Sequence, residues 1–257
     1  VNDSTIKPDI DLITQGDGRR GIIVDNIRHL VTPLIPKNAT TWCRNVLYAD
    51  VISMAGHRLR VQPPQKLWDT DAEPTRPIYE LRKPVTEPFE NHTALIFVRD
   101  PIERFLAGFD EMMTRTWTTQ HGVNDVSVQQ YIHHTCDRIR SGAIWKDIEL
   151  RQQNVHILPQ SHTYDAQLFP HAHHVLIDDN TTDVLSTLLN SWGHTHFPVD
   201  LNSRKQFKNS RSADKLKTAS SEYCSSMLWD KYSERITEWC AVDITWFAQL
   251  TVETHQQ

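Results

Sequence analysis

The sequence predicts an α/β protein built as a single domain on a central parallel sheet flanked by helices, and three observations predict it. Apolar runs of strand length stand far apart: HLVTPLI over 29–35, TALIFV over 93–98 and HVLI over 174–177. A stretch with helical spacing of apolar residues follows each run. Strands that alternate with helices pack as a sheet wrapped by those helices. The chain has 257 residues, enough to bury a core without covalent staples.

Each element can be justified in order. Residues 1–18 are polar and read as a loose arm, leaving 19–257 as the domain. Ile22–Val24 is a short strand, and the run from His29 to Ile35 is a buried one that ends at Pro36. Thr40 or Thr41 caps a helix through about Ala55, with Trp42, Val46, Leu47 and Val51 on its apolar side. Pro63, Pro64, Pro74, Pro77, Pro84 and Pro88 make the next stretch extended, with Ile78–Leu81 its one strand-like piece. Thr93–Val98 is the strongest strand. Pro101 stands where the first turn of a helix accepts proline, and Ile102–Arg115 continues with helical spacing. Segments 125–140 and 143–153 read as helices, His174–Ile177 as a strand, and Thr182–Trp192 as a helix stopped by Gly193. A basic connection over 194–217 leads into a helical region over 219–250.

Lys and Arg number 27 and Asp and Glu 32, a net charge of −5. That balance argues against a protein whose main task is gripping nucleic acid or a strongly anionic membrane, and it leaves a local anion site open. The apolar runs are only a few residues long, so none of these residues form a membrane span. Cys43, Cys136, Cys224 and Cys240 form no C-x-x-C pair, which argues against structural zinc. Cys224 and Cys240 could bridge in an oxidising compartment, although free buried thiols are the plainer expectation. Sequons begin at Asn2, Asn38, Asn91 and Asn180, a pattern that chance readily produces.

Two strand–helix junctions carry the chemistry. The first runs Pro36-Lys37-Asn38-Ala39-Thr40-Thr41-Trp42. Unpaired N–H groups at a helix start, one lysine and two hydroxyls are what a phosphate or sulfate group needs. Alone, the stretch reads better as an ordinary capped helix with an exposed lysine. It is not the G-x-x-x-x-G-K-[ST] loop of nucleotide triphosphatases, since no glycine lies between Pro36 and Trp42. The second junction, Phe97-Val98-Arg99-Asp100-Pro101, puts Arg99 at the carboxyl end of a strand, the edge where open α/β sheets bind ligands. A guanidinium there can fork onto a phosphate. Glu103 and Arg104 read as surface or locally paired charges. Two anion-competent junctions in one sheet suit a ligand with two separated phosphates.

These motifs resemble those of the sulfotransferases. PKNATTW is similar to their 5′-phosphosulfate loop, P-K-x-G-T-T/S-x. FVRDPIERFLAGF resembles the 3′-phosphate signature of the Golgi carbohydrate branch, the chondroitin, dermatan and heparan type. His156-Ile157-Leu158-Pro159-Gln160 looks like the H-W-x-P-Q stretch of that branch, and the run from Tyr232 to Phe247 resembles its closing helix. Two positions depart from the pattern. Ala39 stands at the loop glycine, and Ala107 stands where a serine would bind the 3′-phosphate. The basic stretch with Arg204 and Lys205, similar to a late cofactor loop of the heparan-type enzymes, is the candidate to supply the missing contact.

The resemblance implies 3′-phosphoadenosine 5′-phosphosulfate (PAPS) as donor, no metal, and a carbohydrate or other small hydroxylated acceptor. Pro36, Lys37, Asn38, Ala39, Thr40, Thr41, Trp42, Arg99, Ala107, Arg204 and Lys205 become the cofactor-binding positions, with Lys37 also catalytic. Because the chain is net acidic, a less charged sugar, a short oligosaccharide or a small hydroxylated metabolite stays open as acceptor beside a glycosaminoglycan. The general base falls between the two cofactor motifs, where Glu80 ranks first, His57 second, and His92 reads as solvent-facing. His156 reads as a structural hydrogen bonder. His171, His173 and His174 read as solvated or core-facing rather than as metal ligands. The sequence begins at Val1, so the compartment stays open between cytoplasm and, with an anchor removed, the Golgi lumen. Oligomeric state also stays open. The alternatives are a nucleotide-dependent phosphotransferase, for which Ile177-Asp178-Asp179 is the nearest approach to a metal-binding strand end, and a degenerate sulfotransferase fold that binds glycans.

Overall fold

A computed structural model describes residues 21–26, 28–38, 40, 43, 78–81, 85, 87–121, 127–150, 156–163, 165–178, 181–194 and 220–254. In chain order its strands are β1 (Ile22–Asp25), β2 (Leu30–Pro33), β3 (Ile78–Leu81), β4 (Thr93–Val98) and β5 (Ala172–Leu176). Its helices are α1 (Pro101–His121), α2 (Val128–Ser141), α3 (Ala143–Leu150), α4 (Thr181–Ser191), α5 (Ser226–Trp239) and α6 (Ala241–Thr254). The fold class is α/β, as the sequence predicts. Contacts divide the chain into two compact units, one from 17–99 and 164–208 and one from 1–16, 100–163 and 209–257.

The first unit holds the sheet, in the order β3-β1-β2-β4-β5. β2, β4 and β5 run parallel, as expected. β1 is antiparallel to both its neighbours, β2 and β3, so the sheet is mixed. Connection length explains the reversal: the short link between Asp25 and Leu30 suits a hairpin, whereas a parallel crossover needs a dozen residues or more. The Asp25 carboxylate pins that turn, accepting from the Arg28 backbone N–H at 3.0 Å and from the Arg28 guanidinium. Ile23, Leu30, Leu95, Phe97 and Val175 from the strands pack with Leu185 and Leu189 of α4 as the core. Burying such a side chain contributes about 1.5–3 kcal/mol.

The second unit is helical. The Asp100 carboxylate caps α1, accepting from the N–H groups of Ile102 at 3.0 Å and Glu103 at 2.9 Å. Helix α1 runs six residues past the predicted end at Arg115. Phe105, Phe109, Tyr131, Ile139, Ile144, Leu228, Ile236 and Trp239 form the unit's core. The region expected to be helical over 219–250 is three pieces: a π-helical turn at Ser220–Ser225, α5, and α6 beyond a break at Cys240.

The 156–160 segment is locked by its backbone. Arg104 donates to the Leu158 carbonyl, and the Trp239 indole donates to the Ile157 carbonyl at 2.9 Å. Asp243 accepts from the N–H groups of Gln160 and Ser161 and from the Ser161 hydroxyl. Arg104 is therefore no surface charge. It is buried, and its partner carbonyl lies 54 residues along the chain.

Candidate functional site

β2 and β4 are parallel neighbours, so both chain segments leave the sheet at one edge. The ladder joins Leu30 to Thr93 and Val31 to Ala94, and no later pair joins the two strands among the described residues. The loop after β2 fills that opening. The Asn38 N–H donates to the Ile35 carbonyl at 3.0 Å, closing a turn with Pro36 and Lys37 at its centre. Pro36 suits the first central position, because its ring presets φ. Lys37 at the second has φ +71°, the left-handed value that type II turns require there and that normally selects glycine or asparagine. The left-handed residue is thus the lysine itself.

Asn38 fastens this turn to the neighbouring strand. Its side chain is buried, and Nδ2 donates to the Phe97 carbonyl at 2.7 Å. Phe97 stands two residues before Arg99, so one hydrogen bond couples both anion-competent junctions. Lys37 and Arg99 are each half-exposed. Thr40 is helical and half-buried. Ala39, Thr41, Trp42, His57, Arg204 and Lys205 lie outside the described residues. Ala107 sits in α1, half-exposed, and its methyl offers no hydrogen bond to a phosphate.

A family model described as the Sulfotransferase family matches residues 20–247. The chain belongs to the sulfotransferase family. Its activity class is therefore sulfate transfer. No significant match was found among curated proteins or among solved structures.

A sulfotransferase needs a base for its acceptor hydroxyl, and the strand register puts the two described candidates, Glu80 and His92, at different ends of the sheet. Glu80 lies in β3 opposite Ile23, which in turn pairs with Thr32, so Glu80 is level with the carboxyl end of β2. Two strand spacings put it roughly 10 Å across the sheet from Thr32. His92 precedes β4, at the opposite end from Arg99. The intervening strand separates the two by roughly 20 Å. It is half-buried rather than solvent-facing, with Nε2 3.1 Å from Asn26 Oδ1. Burial and the neighbouring His29 lower its pKa below 6.5, with Asp25 opposing. His92 therefore belongs to the far edge.

Three further histidines lie on or just before β5. His171 and His173 are exposed and His174 is half-buried. His173 packs edge-on against Trp192, with ring centroids 4.8 Å apart, and the lost hydration lowers its pKa. His156 is half-buried, and its carbonyl faces Gly108. Asp178 is exposed at the turn after β5, where its N–H is taken by the Thr181 hydroxyl at 2.7 Å. Among the described residues no group of three or more His, Cys, Asp or Glu could hold a metal ion. No described helix is long and apolar enough to cross a membrane. Two features escaped sequence reading: the Asn38 tether and the burial of Arg104. Asn38 stood in the anion loop, but nothing local pointed to a carbonyl 59 residues away.

Proposed function

We propose that this sulfotransferase moves the sulfuryl group of PAPS to a hydroxyl of a carbohydrate or another small hydroxylated acceptor. One observation carries the reading: parallel neighbouring strands deliver the Lys37 turn and Arg99 to the same sheet edge, and Asn38 joins them. Two cationic groups at one edge suit a nucleotide with two separated phosphates.

The transfer is an in-line displacement. The acceptor oxygen forms a bond to sulfur while the bond from sulfur to the bridging phosphate oxygen breaks, and the leaving oxygen keeps the electron pair. Lys37 neutralises the charge that grows on that oxygen. Thr40 and Thr41 hold the 5′-phosphate, and Arg99 takes the 3′-phosphate. Glu80, the first-ranked base, or His57 accepts the acceptor's proton.

Adenosine 3′,5′-bisphosphate tests the nucleotide half of the reading. It should raise the melting temperature, because a ligand selective for the folded state stabilises by mass action. Arg99→Ala should weaken its affinity by about 1.5–3 kcal/mol, the range for a hydrogen bond to a charged group. A melting curve indifferent to the nucleotide would overturn the donor assignment. A panel of sugar and small-molecule acceptors with radiolabelled sulfate donor then identifies the hydroxyl. Binding of a sulfated glycan without nucleotide binding would instead favour the glycan-binding alternative.

A further inference from the structure

Sulfate transfer uses none of the four cysteines, and all four thiols are buried. Their surroundings differ. Cys240 Sγ lies 3.7 Å from the Pro101 carbonyl. Burial, reinforced by Asp243, pushes its thiol up to about 12, so it stays protonated and unreactive. The pairing of Cys224 with Cys240 is not the one the packing favours. Cys224, in the π-helical turn at Ser220–Ser225, instead lies over the turn of α2 that carries Ile132 and Cys136. Its Sγ is 3.3 Å from Cys136 Sγ and 3.9 Å from the Ile132 carbonyl. Cys136 is 4% exposed and Cys224 is 0% exposed.

We propose that Cys136 and Cys224 are joined by a disulfide in the folded enzyme, clamping the π-helical turn onto α2. Bonded sulfurs stand about 2.05 Å apart, so the approach still to be made is roughly 1 Å, within reach of small side-chain rotations. The chemistry is thiol–disulfide exchange with a low-molecular-weight disulfide. One cysteine thiolate attacks it, forms a mixed disulfide and releases one thiol. The second cysteine thiolate then displaces the other thiol and closes the bond between Cys136 and Cys224. The two protein sulfurs are oxidised, the small disulfide is reduced to two thiols, and the two cysteine protons pass to the released thiolates. Burial sets the order of events: exchange occurs before the helices close, and the finished bond lies out of reach of reductants. The bond therefore belongs to a chain that folds in an oxidising compartment.

The test uses the full chain, refolded from denaturant in a glutathione redox buffer. Remaining thiols are blocked with N-ethylmaleimide under denaturing conditions, and the peptides are mapped by mass spectrometry. The expected result is one linked species carrying Cys136 and Cys224, with Cys43 and Cys240 alkylated. Alkylation of all four cysteines, or a link between any other pair, overturns the proposal. A second readout compares oxidised and reduced wild-type protein. The bond closes a long loop, its cysteines 88 residues apart, so the oxidised form should melt higher by about 10 °C. That gap should vanish in Cys136→Ala, and equal melting of the two wild-type forms also overturns the clamp. Neither readout depends on nucleotide binding or turnover.

Discussion

The Asn38 side-chain amide donates to the Phe97 carbonyl at 2.7 Å, where β2 and β4 have stopped pairing as strands. A side chain therefore does what a strand N–H would do. It lets the β2 chain turn away into the loop that bears Lys37 while staying attached to the strand that leads to Arg99.

Asn38→Ala should therefore act on both junctions. Losing a neutral buried hydrogen bond costs about 1 kcal/mol of stability, read as a lower urea midpoint. Affinity for adenosine 3′,5′-bisphosphate should fall with it, measured by calorimetry, because the turn bearing Lys37 loses its anchor. Asn38→Asp keeps the shape but cannot donate, and it buries a charge, so it should be at least as damaging as alanine. A variant with wild-type affinity would show that the loop holds its place without the tether.

Lys37 combines the charge proposed to neutralise the leaving oxygen with a backbone conformation that costs about 1–2 kcal/mol for a residue with a Cβ. Stability and turnover should therefore separate. Lys37→Gly should raise stability by up to about 1 kcal/mol, while Lys37→Ala should leave it nearly unchanged. Both should lose about 10²–10³ in turnover with a smaller effect on nucleotide affinity. Steady-state kinetics beside urea melts of the same preparations check the split.

At Gly108 the backbone of α1 lies against the His156 carbonyl with no room for a side chain. A Cβ built there would lie 1.9 Å from the His156 carbonyl oxygen, a backbone atom that cannot swing aside. Gly108→Ala should destabilise by about 2–3 kcal/mol, toward the upper end of overpacking costs, despite alanine's better helix propensity. Chemical denaturation measures it, and a neutral result would mean that the 156–160 segment can slide off α1.

Local composition made much of the fold readable. β4 has the bounds that its apolar run marks, because polar Asn91 and His92 precede it and charged Arg99 follows. The end of α1 was less legible, because Thr116, Thr118 and Thr119 are weak helix formers. Each of those hydroxyls donates to the carbonyl four residues back, and Trp117 is buried in the core, so the helix continues. In the candidate site, Lys37 and Arg99 stand out in the sequence by charge and by position at two strand ends. The left-handed conformation of the lysine does not, since the glycine of the family pattern stands at 39, where this chain has alanine. Arg104 reads from sequence as a surface charge because a charged residue near a helix start is usually solvated, and its buried partner is remote in sequence.

Four histidines set a pH dependence of known sign. Burial lowers the pKa of His92, His134, His173 and His194 below 6.5. Arg138 and His121 add to the shift at His134, and Arg28 adds to it at His194. The unfolded chain therefore binds protons at a higher pH than the folded one. Their contribution to stability is full above about pH 7 and falls as the pH drops through 6.5 toward the folded pKa values. Urea midpoints should decline between about pH 7 and 5.5, and His92→Gln should reduce the slope. An unchanged slope would remove His92 from the group.

The base is decided by exchanging proton acceptors without disturbing shape. Glu80 stands level with Thr32 on a strand held by β1, at the same sheet edge as the Lys37 turn. Glu80→Gln preserves shape and volume while removing the negative charge and the basicity. If Glu80 takes the acceptor proton, turnover should fall by roughly 10²–10⁴ while nucleotide affinity stays at the wild-type value. His57→Ala serves as the counterpart, because the sequence ranks it second. Near-normal turnover in Glu80→Gln with collapse in His57→Ala would transfer the role to the histidine and leave sulfate transfer intact. Loss of nucleotide affinity in Glu80→Gln would mark the carboxylate as a positioning residue. A pH profile separates the two remaining cases: with a carboxylate base the acid-side fall of kcat/KM comes at lower pH than with an imidazole base.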